Sequence, residues 1–346
     1  MRIAMVAPVW VAVPPPGYGG IELVTSLLTE ELVARGHDVT LFASGGSQTK
    51  ATLRSAFEEP PTDRLWETEP DASHVGSAYR MVEREYSDGN AFDLVHDNTE
   101  YLGVAFAACL ATPVVHTVHF PLTDLRRAFL RRFADDVYLA AISEFQRSAA
   151  PELPWAGRVH NAIDVESFEL RGRKDGYLLC IGRVCERKGQ DIAVEVARRA
   201  GLPLVLAGRV HPKEAAFFTE RVEPHVDGQR VVFEGEVTAD RKRELVAGAS
   251  ALLLPIREPE PFGLVMIEAF ASGTPVIGSP LGAVPEIVTD GVTGFLSPTA
   301  KGMAAAVERL GEIDPAVCRR EAEEHYAPGA MADGYEALYH SVLEAL

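Results

Sequence analysis

The chain has 346 residues, 47% of them hydrophobic and 24% charged, which is enough for two soluble domains with a core each. Its 50 acidic residues outweigh 33 Lys and Arg, giving a formal net charge of −17. That balance excludes broad binding to nucleic acid or to an anionic membrane, which needs clustered positive charge, and leaves room for a small anion held by a few placed cations.

Met1–Pro8 is too short an apolar run for a secretion signal and reads as a first strand over Ile3–Ala7. A glycine-rich turn with Gly17, Gly19 and Gly20 leads into an amphipathic helix, Glu22–Ala34, stopped by Gly36. Apolar runs recur at Val39–Phe42, Phe92–Val95, Val114–Val118 and Val137–Ile142, with a helix predicted over Ala78–Tyr86. The polar segment Leu170–Gly176 is the best boundary by composition. Beyond it, strands are expected at Tyr177–Ile181, Leu204–Ala207, Val231–Phe233, Ala251–Leu254 and Pro275–Ile277, each followed by a helical pattern. A last helix, Met331–Leu346, follows Pro328-Gly329. Such alternation favours α/β architecture, two doubly wound domains built on parallel sheets and facing one another across a cleft. No run of about eighteen apolar residues exists, so no membrane-spanning helix and no integral membrane association are expected. Cys109, Cys180, Cys185 and Cys318 have neither CxxC nor metal-ligand spacing, and read as reduced thiols of a cytoplasmic protein.

The chemistry concentrates at strand ends. After Tyr177–Ile181 comes Gly182-Arg183, then Arg187, Lys188 and Gly189 before a helix. Cations beside a helix start suit a diphosphate through charge-assisted hydrogen bonds, the alternative being a solvated charge cluster; the strand-end position favours phosphate. After Ala251–Leu254, Glu260 sits in a loop and Glu268 inside the helix that Phe262-Gly263-Leu264 opens, closed by Gly273. Two carboxylates also raise a glycosidase pair. The glycine turn before Glu22 fits a phosphate cradle or a plain loop. It is no dinucleotide fingerprint, because the spacing is not GxGxxG and the second strand ends Thr40–Ala43 without an acid. His119 ends the run Pro113–His119 at a carboxyl edge, whereas His116 reads as structural. His96 and Asp97 line the same rim as weaker candidates. Arg126, Arg127, Arg131 and Arg132 fall at helical spacing, a solvated face or else an acceptor-facing patch. No Asp-x-Asp occurs and no metal site is expected.

Gly182-Arg183 with Lys188-Gly189, Glu260 with Glu268, Gly273–Gly278, Gly282–Glu286 and Asp290–Gly294 together resemble the retaining glycosyltransferases of family 4, which have the GT-B fold. The likeness spans nearly the whole chain, through Gly17–Glu22, Arg35–Val39 and Asn161–Asp164. It is greatest to the transferases of orthosomycin (avilamycin) antibiotic assembly. The resemblance implies an acceptor-side domain over 1–164, a nucleotide-sugar donor domain over 165–324, and a terminal helix over 325–346 packing back on the first. It implies transfer of a sugar from a UDP-, GDP- or dTDP-sugar to a hydroxyl of a small-molecule or oligosaccharide acceptor, with no cofactor and no metal. Arg183 and Lys188 would hold the diphosphate and Glu268 the ribose hydroxyls. Glu260 would bind the transferred sugar or steady charge at its anomeric carbon. The backbone N–H groups of Phe262, Gly263 and Leu264 would face sugar and phosphate. The base would lie on Gly235-Glu236-Val237. Gly19 and Gly20 would cover the donor, and His119 would hydrogen-bond a hydroxyl of the donor sugar or the acceptor. A nucleotide-sugar epimerase and a non-catalytic sugar-nucleotide sensor are the rival readings.

Overall fold

A computed structural model describes residues 1–17, 19–65 and 67–346, so Tyr18 of the glycine-rich turn lies outside the described residues. The chain divides into two compact units, Met1–Ile163 with Pro328–Leu346, and Asp164–Ala327. The polar Leu170–Gly176 stretch lies inside the second.

In the first unit, β1 (Arg2–Val6), α1 (Gly20–Ala34), β2 (Asp38–Phe42), β3 (Thr52–Arg54), α2 (Thr68–Ser87), β4 (Leu94–Asp97) and α3 (Tyr101–Phe106) run in order. They are followed by β5 (Val114–Val118), α4 (Asp124–Arg132), β6 (Tyr138–Ala141), α5 (Glu144–Ala149) and β7 (Trp155–Arg158). The seven-stranded parallel sheet has the order β3-β2-β1-β4-β5-β6-β7. Ile3 pairs with Val39 on one side and Leu94 on the other. Its central strands are buried over nearly their whole length because helices cover both faces, so they read as continuous apolar runs rather than alternating ones.

The second unit holds β8 (Leu178–Ile181), α6 (Gln190–Ala200), β9 (Leu204–Ala207), α7 (Ala215–Phe217), β10 (Val231–Phe233) and α8 (Ala239–Gly248). It continues with β11 (Ala251–Leu254), α9 (Leu264–Ala271), β12 (Val276–Gly278), α10 (Val284–Ile287), β13 (Gly294–Leu296), α11 (Ala300–Val307) and α12 (Pro315–His325). Its six-stranded sheet runs β10-β9-β8-β11-β12-β13. The final helix, α13 (Pro328–Glu344), belongs to the first unit and packs on α1 and β7. No helix among the described residues is long and apolar enough to cross a membrane.

Three strands escape the sequence pattern, and each is short. β3 and β7 are half exposed, so neither carries an apolar run. Gly157 in β7 is where α13 approaches, since a Cβ there would lie 2.8 Å from Leu338 Cδ1. β13 begins at Gly294, where a Cβ would meet Val276 O at 1.9 Å. The helix expected over Ala78–Tyr86 starts a full ten residues earlier at Thr68. Its polar first half, with Glu69 and Asp71 in the first turn, has no apolar period to read. β4 lies further on than expected and includes His96 and Asp97, whose polarity hid them although both are fully buried.

Candidate active site

Strand order sets where loops can meet. In the second sheet the chain leaves β8 toward β9 and β10, then returns to β11 on the opposite side of β8. The loops after β8 and β11 therefore diverge from a topological switch point, where doubly wound sheets bind ligands. The first of these loops carries Arg183, Arg187 and Lys188; the second carries Glu260.

Glycine lets the loops close on each other. Gly189 caps α6 at φ 72°, and a Cβ there would meet Pro255 O at 2.1 Å. Arg257 N donates to Arg187 O at 2.9 Å, and the Arg257 guanidinium grips Asp191 at 2.8 and 2.7 Å. Lys188 Nζ consequently reaches Glu260 Oε2 at 2.6 Å, and Arg187 Nη1 reaches the same oxygen at 3.3 Å. The Glu260 side chain is only 15% exposed. Burial acts to raise its pKa, but the charge and hydrogen bond of Lys188, then of Arg187, outweigh burial and hold the carboxyl below its usual range. Behind Glu260, Ala283 N donates to its carbonyl at 2.9 Å. Gly282 (φ 64°) passes so close that a Cβ would lie 2.3 Å from Glu260 N.

Glu268 lies in α9, 3% exposed, with Oε1 2.5 Å from Lys242 Nζ of α8. Gly263 (φ 96°) caps α9, and the Gly263 and Leu264 N–H groups open the first turn, where a helix offers no internal acceptor. The Phe262 side chain is buried, its ring edge-on to Tyr326 at 6.1 Å. Arg183 is exposed, and its side chain makes no hydrogen bond or ion pair among the described residues. Beside it, Gly208 N donates to Gly235 O at 2.7 Å, and a Cβ on Gly208 would strike Gly182 O at 1.8 Å. The loops after β8, β9 and β10 thus touch through glycines, leaving Glu236 exposed and Val237 half-buried.

In the first unit the corresponding switch point lies between β1 and β4, and Gly19 and Gly20 follow β1 into α1. A Cβ on Gly19 would lie 2.8 Å from Pro15 Cβ and 3.0 Å from Glu22 Oε2. Glu22 is 7% exposed, and burial raises its pKa to about 7. His119, just past β5, is half-buried, with Nε2 2.9 Å from Asn98 Oδ1. Asn98 Nδ2 is committed to Met5 Sδ, so its oxygen accepts, His119 Nε2 donates, and Nδ1 keeps its lone pair. Burial, with His116 nearby, pushes the His119 pKa down, leaving the imidazole neutral.

His96 and Asp97 do not line a rim. His96 Nδ1 meets Tyr339 Oη at 2.6 Å and Nε2 meets Thr117 Oγ1 at 2.7 Å, while Asp97 Oδ2 lies 2.5 Å from His116 Nδ1. These are interior bonds that burial requires. Nor is the arginine face of α4 wholly solvated. Arg126 is half-buried, stacked over Phe120 at 4.8 Å and bonded to Tyr101 Oη at 3.0 Å and Glu100 Oε1 at 3.2 Å. Arg131 and Arg132 are exposed.

Residues 18–167 match the domain described as Glycosyltransferase Family 4, and residues 175–312 the domain described as Glycosyl transferases group 1. The chain belongs to the family 4 glycosyltransferases. The phosphatidyl-myo-inositol mannosyltransferase of Mycolicibacterium smegmatis is 28% identical, over 91% of this chain and 86% of the relative. A crystal structure of a glycosyltransferase involved in avilamycin A biosynthesis superposes with a TM-score of 0.73 at 24% identity, covering 100% of this chain and 99% of that one. Anabaena HepE in complex with UDP-glucose superposes with a TM-score of 0.73 at 18% identity, with both chains covered at 100%. At these identities the structural likeness shows the shared GT-B fold.

Two residues of this glycosyltransferase escaped the sequence reading. Arg187 was visible only as one more cation beside Lys188. Lys242 lies in Asp240–Glu244, a charged helix turn that reads as solvated, and its partner Glu268 is 26 residues away.

Proposed function

We propose that this glycosyltransferase is a retaining, metal-independent enzyme that moves a sugar from a nucleoside diphosphate donor to a hydroxyl of a small-molecule or oligosaccharide acceptor. The observation that carries this reading is the pairing of two cations with two buried carboxylates: Lys188 of the loop after β8 with Glu260 of the loop after β11, and Lys242 of α8 with Glu268 of α9. Arg183 and Lys188 hold the diphosphate and, in place of a divalent ion, neutralise the charge that develops on it as it leaves. Glu268, an acceptor only, takes the ribose hydroxyls. Glu260 keeps Oε1 open for a sugar hydroxyl, and its lowered pKa keeps it ionised opposite a cationic anomeric carbon. The first-turn N–H groups of Gly263 and Leu264 add donors for phosphate or sugar oxygens. Phe262 serves through its main chain, and Glu236 and Val237 border the base.

In the first unit, Gly19 and Gly20 border the acceptor. His119, neutral and with Nδ1 open, accepts a hydrogen bond from a hydroxyl there. UDP-, GDP- and dTDP-sugars are the donor class, in keeping with the UDP-glucose complex of Anabaena HepE. The avilamycin glycosyltransferase among the structural relatives supports an oligosaccharide-antibiotic intermediate as acceptor. Four free cysteines, three of them buried, fit work in the reducing cytoplasm. Calorimetric titration with UDP, GDP and dTDP tests the reading: one of them binds, and absence of binding by all three overturns it. Mass spectrometry of a nucleotide-sugar panel, with and without acceptor alcohols, then separates a transferase from an epimerase, which needs no acceptor.

A further inference from the structure

Lys174 precedes β8 and stands at the carboxyl ends of α8 and α9, the helices that carry Lys242 and Glu268. Its Nζ donates to Ala247 O at 3.1 Å, Ser272 O at 2.9 Å and Thr274 Oγ1 at 2.8 Å. No carboxylate pairs with it among the described residues. Ala247 belongs to the last turn of α8, and Ser272 is the residue on which α9 ends. Thr274, fully buried, passes the contact on by donating to Val246 O of α8 at 2.7 Å. One ammonium therefore sits against the negative dipole ends of two helices at once, a favourable place for a cation. The same two helices meet a second time at Lys242 Nζ–Glu268 Oε1. Two polar contacts, one along the helices and one at their carboxyl ends, thus bear on their spacing and register.

We infer that Lys174 is a positioning residue for the donor nucleoside: by tying α8 to α9 at their carboxyl ends it sets the Lys242–Glu268 pair that receives the ribose. This rests on the donor reading above. Lys174 touches neither Lys188 nor Arg183, so its effect falls on the nucleoside half of the donor and spares the diphosphate half.

Titration of the full-length chain with UDP and with inorganic pyrophosphate, in the unaltered protein and in Lys174→Met and Lys174→Arg, tests it. Lys174→Met is expected to weaken UDP binding at least tenfold while pyrophosphate binding stays within about twofold. Lys174→Arg, whose guanidinium can still donate to the same carbonyls, restores UDP binding to within about threefold. Equal losses for both ligands, or no loss for UDP, overturn the inference. Should Lys174→Met fail to fold, Thr274→Val, which removes only the shared hydroxyl, is expected to weaken UDP binding and spare pyrophosphate, and an unchanged UDP affinity overturns it equally. An unaltered chain that binds neither ligand defeats the donor reading itself, an outcome distinct from failure of the variants alone.

Discussion

At the scale of single residues, Lys188 and Glu260 are mutually dependent. Each is more than four-fifths buried, and each charge is compensated by the other. On the proposed donor reading, Lys188→Ala removes a charge-assisted contact to phosphate, expected to cost about 1.5–3 kcal/mol, or roughly ten- to hundredfold in diphosphate affinity. Binding of the free nucleoside should change little. Equal losses for the two ligands in titration would remove Lys188 from the phosphate site. Glu22 has the opposite character, a buried carboxyl with no cation beside it among the described residues and a pKa raised by burial from 4.5 to about 7. Between those values the folded chain keeps a proton that the unfolded chain releases, so stability falls as pH rises through that window. Above it the buried charge costs up to about 3 kcal/mol. Glu22→Gln is expected to stabilise the chain at about pH 8 and to leave it nearly unchanged at about pH 4, as measured by urea unfolding. A variant with no pH-dependent gain would mean that solvent reaches the carboxyl.

At the scale of elements, the site depends on loops that only glycine allows to touch. Gly282 and Gly291 make a useful contrast, because both have positive φ yet only Gly282 has backbone against it. Gly291→Ala meets nothing within 4 Å and should cost only the left-handed strain, about 1–2 kcal/mol. Gly282→Ala adds a methyl group 2.3 Å from Glu260 N and must push the Glu260 loop away. On the role proposed for Glu260, it is expected to cut turnover at least tenfold beyond any effect of Gly291→Ala, because about 1 Å of displacement at a reacting group is costly. Matching kinetics for the two variants would dissociate the Gly282 turn from the site. The sequence marked Gly282–Glu286 as part of a pattern; the reason for the glycine is visible only where the turn supports Glu260.

At the scale of the whole molecule, the chain closes by returning to its first unit. α13 buries Tyr335 and Tyr339 there, with Tyr335 Oη 2.9 Å from Thr117 Oγ1 and Tyr339 Oη against His96. Arg35 Nη2 donates to Gly329 O, and His37 Nε2 meets Glu336 Oε1 at 2.7 Å. Tyr339→Phe orphans a buried ring nitrogen of His96 and is expected to cost about 1–3 kcal/mol. Tyr339→Ala, which also empties the core, should cost about 3–5 kcal/mol. Calorimetric melting would register both losses in the transition of the first unit, and an unshifted transition would show that α13 adds little to that core.

Much of this was legible in the one-dimensional chain because its causes are local. Apolar runs marked β1, β5, β8 and β11, glycine stops ended α1 and α9, and the spacings around Arg183, Lys188, Glu260 and Glu268 carried the family likeness. Half-exposed strands such as β3 and β7 and polar buried residues such as His96 were not legible, since their placement answers to neighbours distant in the chain. What the sequence by itself determined was the alternation of elements and the residue types at each strand end. Only the tertiary structure decided that Lys188 pairs with Glu260, that Lys242 pairs with Glu268, and which side chains seat α13 on the first unit. Periodicity and turn chemistry act over a few residues, whereas an ion pair forms only where sheet order brings two loops together.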